Sequence, residues 1–332
     1  MSSEPRQPPR TPPAVLIIGA SGFVGRALVR RLADRRAVAT GHRRHGNGLI
    51  PFDARRDSVE ALIDRHGPFG HALLLHGMTR PDQCFADPEA ARRLNVESMR
   101  RLVSALVERG TTPVFTSSEV VFDGRRGAYA EGDEPRPLML YGQHKVEVER
   151  FLVALDPAAL VVRLGRVVGA SPGDGTLFSD WLPALARGTD IPCATDHVFS
   201  PIHASDAAEA MARLIDDGRT GIVHVAGPEA MSRLDMLKTL MACWRRAGLP
   251  LRSRILGRPL ASFPTPEPRP RDVSLSIERL VRWSGFTPRD VSAICEASIG
   301  AWRSTRKGAA EPSPRHDRPV RDQAEHGAPA IG

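Results

Sequence analysis

Lysine is nearly missing. Of the 46 basic side chains in this 332-residue chain only three are lysines, Lys145, Lys238 and Lys307, so the net charge of +8 against 38 acidic groups is an arginine excess. A pI near 10.1 raises nucleic acid as a partner. The charge is spread along the chain, however, and aromatic residues make up only 5%, which leaves neither a phosphate-tracking block nor a base-stacking platform. Nucleic acid is therefore not an expected partner. Cysteine is also scarce: Cys84, Cys193, Cys243 and Cys295 stand far apart, with no CxxC pair and no histidine at ligand spacing. This excludes a zinc site and a disulfide framework, predicts no metal, and fits a reducing compartment. Long apolar runs are absent too; nothing approaches the roughly 18 residues of a membrane span. The basic start followed by AVLIIGASGFVG imitates a leader but lacks a small-residue cleavage site. The chain is expected to be cytoplasmic.

What remains is a globular composition with 41% apolar residues, enough to build a core. Residues 1–13 carry Pro5, Pro8, Pro9, Pro12 and Pro13 with no apolar period, and residues 303–332 mix charge, proline and glycine; both ends are expected to be disordered. Between them, short apolar runs (VLIIG, HALLLHG, PVFTSS, LVVRLG) alternate with longer amphipathic stretches. Buried strands alternating with helices predict an α/β protein with a doubly wound parallel sheet. Residues 14–170 read as a dinucleotide-binding domain. Residues 171–302 read as a smaller, interleaved substrate-binding lobe, with sheet elements returning near 199–227.

The first strand runs straight into Gly19-Ala20-Ser21-Gly22-Phe23-Val24-Gly25 and then an amphipathic helix. Glycines in such a turn let a pyrophosphate approach the free N–H groups of the helix start. Gly19, Ser21, Gly22, Phe23, Val24 and Gly25 are accordingly candidate cofactor residues. At the end of the second strand, VATGHRRHG offers no carboxylate for ribose hydroxyls. His42, Arg43 and Arg44 stand instead where a 2′-phosphate would sit, which favours NADPH over NADH. Asp53 follows an apolar pair and is placed either at the adenine edge or as a cap of the next helix.

The strand PVFTSS ends in hydroxyl residues at its carboxyl edge, where open parallel sheets bind ligands. Downstream, Tyr141 and Lys145 stand one helical turn apart and project from one face. A neighbouring ammonium together with the oxidised nicotinamide favours phenolate, bringing the Tyr141 proton within range of neutral pH, so that Tyr141 donates to a substrate carbonyl oxygen. Ser118 bonds that same oxygen, and Lys145 holds the nicotinamide ribose.

The motifs GASGFVG, Asn95 in RLNVES, TSSEVVFDG and Pro137-x-x-x-Tyr141-Gly-x-x-Lys145, in that order, resemble the extended short-chain dehydrogenase/reductases. Within them the chain is most similar to the dTDP-4-dehydrorhamnose reductase type, whose late motif resembles Arg269-Pro270-Arg271-Asp272-Val273-Ser274-Leu275; the likeness covers about residues 14–302. The resemblance implies a Ser118–Tyr141–Lys145 triad, with Asn95 supporting the helix of the active site, Gly77 and Met78 lining the cofactor, and NADPH-dependent reduction of a keto group on a nucleotide-activated deoxysugar. The chain departs from the family at His144, Val120 and Arg166. Val120 stands where related dehydratases carry a catalytic Glu, and valine cannot protonate a leaving hydroxyl; a dehydratase is therefore not expected. Glu119 keeps a carboxylate next to Ser118, but strand alternation points it away.

On the substrate side, Phe199 to Asp206 resembles the family segment that helps close the site, with Asp206 as the N-cap of the following helix. Arg166, Arg269 and Arg271 are candidates for a substrate pyrophosphate, and His203 for the sugar. The leading expectation is a ketoreductase of a nucleotide 4-keto-6-deoxysugar. A sugar-nucleotide epimerase, a reductase of a secondary-metabolite ketone and a non-catalytic regulatory subunit stay open, as does a homodimer.

Overall fold

The computed structural model describes residues 14–42, 48–169 and 175–308. Strand β1 (Val15–Ile18) is flanked by β2 (Ala37–Gly41), which continues to β3 (Ile50–Pro51), and by β4 (His71–Leu74), β5 (Thr112–Ser118) and β6 (Leu160–Leu164). An edge strand, Gly221–Val225, closes the series, so the seven-stranded sheet runs edge strand, β6, β5, β4, β1, β2, β3, all parallel. The doubly wound α/β fold read from the sequence is thus the observed one.

Burial on both faces explains the unbroken apolar strands. Val15 and Ile17 pack with helix α1 (Phe23–Arg31) on one side of the sheet. Leu16 and Ile18 pack on the other side with α2 (Val59–His66) and with the helices that follow β4. Those are α5 (Ser98–Glu108) and, after β5, α6 (Leu140–Leu155); α3 (Pro81–Ala86), α4 (Pro88–Arg92) and a π-helical turn at Arg93–Glu97 lead into α5.

Beyond β6 the chain leaves the sheet for α7 (Leu177–Arg187), returns as α8 (Ala204–Asp216) against α1 and as the edge strand, then departs again into α9 (Arg233–Arg246). A separate apolar cluster unites Phe178, Trp181 and Leu182 of α7 with Leu237, Leu240 and Trp244 of α9 and with Ile294 and Cys295 of the last helix, Val291–Gly308. That helix continues past Trp302, where a disordered tail was expected to begin. The stretch LVVRLG to GIVHVAG therefore brackets an excursion whose walls face the carboxyl ends of β1, β4, β5 and β6.

Among the described residues no helix is long and apolar enough to cross a membrane, and no group of side chains forms a metal cluster. All four cysteines are buried and free.

Candidate active site

Two clefts meet at the carboxyl edge of the sheet. The first, about 650 Å³, is walled by Gly19, Ser21, Gly22, Phe23, Val24 and Gly25 and runs to Ser118, Tyr141 and Lys145. Glycine is needed in this wall for steric reasons. Gly19 has φ +91°, and a Cβ there would lie 2.7 Å from the His76 backbone nitrogen; a Cβ on Gly25 would lie 2.5 Å from the Gly19 carbonyl oxygen. The start of α1 has no side-chain cap at Gly22 and no acidic residue in its first turn, so its free N–H groups fit a pyrophosphate.

Further along the same cleft, His42 is exposed beside the Asp53 carboxylate, at 3.9 Å. Arg43 and Arg44 lie outside the described residues. Asp53 faces the cleft but is gripped by the Arg55 guanidinium, at 3.0 and 2.8 Å, which holds its carboxyl down to about 2. Arg55 is a cation of this wall that sequence reasoning missed. Its only signal was a position two residues after Asp53.

His76 was missed as well. Its Nε2 lies 3.2 Å from Ser98 Oγ, and that hydroxyl already donates to the Leu94 carbonyl at 2.7 Å, so the ring nitrogen is the donor. Nδ1 is left as a buried acceptor without a protein donor, on a ring that lines the cleft. Burial, together with the Lys145 charge, lowers His76 to about 3 and keeps it neutral.

Ser118 ends β5 and Tyr141 opens α6, and both line the first cleft and the second. Lys145, one turn along α6, lies under the Tyr141 ring at 5.5 Å and donates to the Thr116 carbonyl at 2.7 Å. Phenolate is expected of Lys145 acting together with an oxidised nicotinamide; the protein groups alone set the opposite balance. Burial, reinforced by Cys84 and Glu119, raises the phenol well above its usual range, and burial likewise lowers Lys145 to about 8 against the pull of Glu149. Tyr141 is therefore held as the proton-bearing form.

The second cleft, about 510 Å³, carries Arg166, Arg233 and Arg269. Arg269 is paired with Asp82. Arg233, from the first turn of α9, and His197 were not anticipated, because nothing in the sequence sets them apart from the other arginines and histidines. Burial, then Arg166 and Arg233, lowers His197 to about 3. Glu119 also faces this cleft. Burial pushes its carboxyl up to about 7, opposed by Arg166 at 3.3 Å.

Several expected residues stand elsewhere. Asn95 does not line the cleft; rotated inward by the π-turn, its side chain accepts from Met78 N at 2.7 Å and donates to Met78 O at 3.0 Å, bracing the loop behind Gly77. Gly77 does line the cleft, with φ +152°. The Met78 side chain instead joins Cys84, Ala91, Val120, Met139 and Tyr141. His203, not Asp206, is the N-cap of α8, accepting from Ser205 N at 3.2 Å, and Arg289 binds both His203 and Asp206; His203 does not line the second cleft. Arg271 is exposed and pairs with Asp196 at 3.2 Å, outside the cleft that its neighbours Arg269 and Pro270 line.

A family model described as the RmlD substrate binding domain matches residues 13–301. The dTDP-4-dehydrorhamnose reductase of Mycolicibacterium smegmatis is 30% identical, with 86% of this chain and 85% of that protein covered. The probable low-salt glycan biosynthesis reductase Agl14 of Haloferax volcanii is 28% identical over 87% of this chain and 99% of its own length. Methionine adenosyltransferase 2 subunit beta of Danio rerio is 30% identical over 67% of this chain and 71% of its own. Among solved structures, a hypothetical dTDP-4-dehydrorhamnose reductase from Sulfolobus tokodaii superposes with a TM-score of 0.71 at 28% identity, over 84% of this chain and 98% of that one.

Proposed function

The chain belongs to the RmlD substrate-binding-domain family of extended short-chain dehydrogenase/reductases, and from that premise we propose that it is an NADPH-dependent ketoreductase acting on the keto group of a nucleotide-activated 4-keto-6-deoxysugar. One observation carries this reading: Ser118 and Tyr141 stand at the junction of a glycine-walled cleft and an arginine-lined one. A group held at that junction touches the contents of both.

The division of labour follows from the two walls. The uncapped start of α1 and the close-packed glycines receive a dinucleotide pyrophosphate, and the Lys145 ammonium, which spends one N–H on Thr116, keeps two for ribose hydroxyls. Bound reduced dinucleotide supplies the hydride for the carbonyl carbon. Tyr141, held as phenol, gives its proton to the carbonyl oxygen, and the Ser118 hydroxyl donates to the same oxygen and stabilises its developing charge. In the second cleft, Arg166, Arg233 and Arg269 offer planar forks that suit the two phosphates of a nucleotide diphosphate. The preference for NADPH is supported by the lack of a carboxylate in the sequence at the end of β2 and by the grip of Arg55 on Asp53, which lines the cleft.

Loss of NADPH absorbance in the presence of a nucleotide 4-keto-6-deoxysugar tests the reading. The native protein is expected to consume NADPH in preference to NADH. Tyr141→Phe is expected to lose about 10²–10⁴ in kcat while still binding NADPH. Conversion of the sugar without net consumption of NADPH would make the protein an epimerase. Equal turnover in Tyr141→Phe would remove the proton donor, and no turnover at all, with a partner enzyme co-purifying, would favour a regulatory subunit.

A further inference from the structure

The strand β5 ends at Ser118 and gives way at once to a 3-10 turn, Glu119–Val121. The turn cancels strand alternation, so Glu119 lines the second cleft beside Ser118 and Tyr141. Its side chain is 4% exposed. One carboxyl oxygen, Oε1, lies 3.3 Å from Arg166 Nη2; the other, Oε2, is buried and accepts no hydrogen bond from the described residues. An unmet carboxyl oxygen in a dry wall is costly, and a ligand donor arriving in the cleft removes that cost.

The position of the group narrows what the donor is. Ser118 addresses the carbonyl oxygen of the substrate, and Glu119 is its chain neighbour, so the two side chains address neighbouring oxygens of a sugar ring. Charge points the same way. Glu119 engages Arg166 through Oε1, which leaves Arg233 and Arg269 for the diphosphate and Oε2 for a neutral hydroxyl.

We propose that Glu119 is a specificity-determining residue whose Oε2 takes the hydrogen bond of the hydroxyl on the carbon next to the ketone, fixing the ketone oxygen against Ser118 and Tyr141. This rests on the ketoreductase reading above and assigns the contact that recognises the hydroxyl beside the ketone.

The experiment is a cycle of two substrates against three proteins. A nucleotide 4-keto-6-deoxysugar with a free 3-hydroxyl and its 3-deoxy counterpart are reduced by native protein, Glu119→Gln and Glu119→Ala, with thermal midpoints recorded for each. Glu119→Ala is expected to lose about 10- to 100-fold in kcat/KM on the hydroxylated sugar and less than about threefold on the deoxy sugar. Glu119→Gln, which keeps the shape and a weaker acceptor, is expected to lose about tenfold on the hydroxylated sugar alone, and it reads out the proposal if the alanine variant does not fold. Any disturbance of Arg166 weakens both substrates equally and cancels in the comparison. Equal losses on both sugars, or none on either, overturn the inference and leave the ketoreductase reading standing. Failure of native, NADPH-binding protein to reduce either sugar overturns both.

Discussion

Arg233 and Arg271 look alike in the sequence and differ in place. Arg233 lines the second cleft with its Nε buried and without a hydrogen-bond partner among the described residues, whereas Arg271 is exposed and already paired with Asp196. A guanidinium that meets phosphate in a dry wall contributes far more than one in an exposed ion pair. Arg233→Ala is therefore expected to raise the KM for a nucleotide-sugar about tenfold or more and to leave NADPH binding unchanged, while Arg271→Ala leaves both within about twofold; steady-state kinetics on the two variants decides it, and the reverse order would remove Arg233 from the site. The same contrast separates Tyr141 from Tyr129. Both tyrosines are buried, but the Tyr129 hydroxyl donates to Asp123 at 2.6 Å and stacks its ring on Phe122, away from both clefts.

At the scale of elements, two departures from regular structure shape the site. The π-turn between α4 and α5 carries an extra residue that rotates Asn95 inward, where it satisfies both backbone groups of Met78. Asn95→Ala strips two hydrogen bonds from the loop that holds Gly77 in the cofactor wall. The expected outcome is a lower thermal midpoint and a KM for NADPH raised several-fold, with the KM for the sugar little changed; an unaltered NADPH KM would show that the loop holds itself. The second departure is the abrupt end of β5, whose 3-10 turn swings Glu119 into the cleft.

For the molecule as a whole, three neutral histidines set the acid limit of stability. Burial, helped by neighbouring cations, lowers His76, His197 and His224 from 6.5 to about 3 each. Lys145 and Arg101 act on the first, Arg166, Arg233 and Arg269 on the second against Asp196, and Arg163 and Arg279 on the third. Between pH 6.5 and 3 the unfolded chain takes up protons that the folded chain refuses, so stability is full above pH 6.5 and falls as pH drops through that window. Glu119, pushed up to about 7, takes its proton first in the folded chain and offsets one of the three between pH 7 and 4.5, so the slope there is roughly 3 kcal/mol per pH unit. Denaturant midpoints measured from pH 7.5 to 4.5 are expected to be level at first and then to fall steeply below about 6.5; a level course down to pH 5 would contradict the burial of these rings.

Short-range chemistry fixed much of this protein in its amino-acid order. Apolar runs buried on both faces specify parallel strands, glycines at the β1–α1 turn specify a wall that admits a pyrophosphate, and Tyr141 and Lys145 one turn apart share a helix face, because each of these depends on residues a few positions from one another. Tertiary packing alone decided the rest. Arg233 and His197 reach the substrate cleft from segments more than fifty residues beyond β5, His203 is drawn to Arg289 across 86 positions, and Glu119 turns inward because of where its strand stops. Which side chains share a cleft is set by how distant elements pack against one another, and no local period records that.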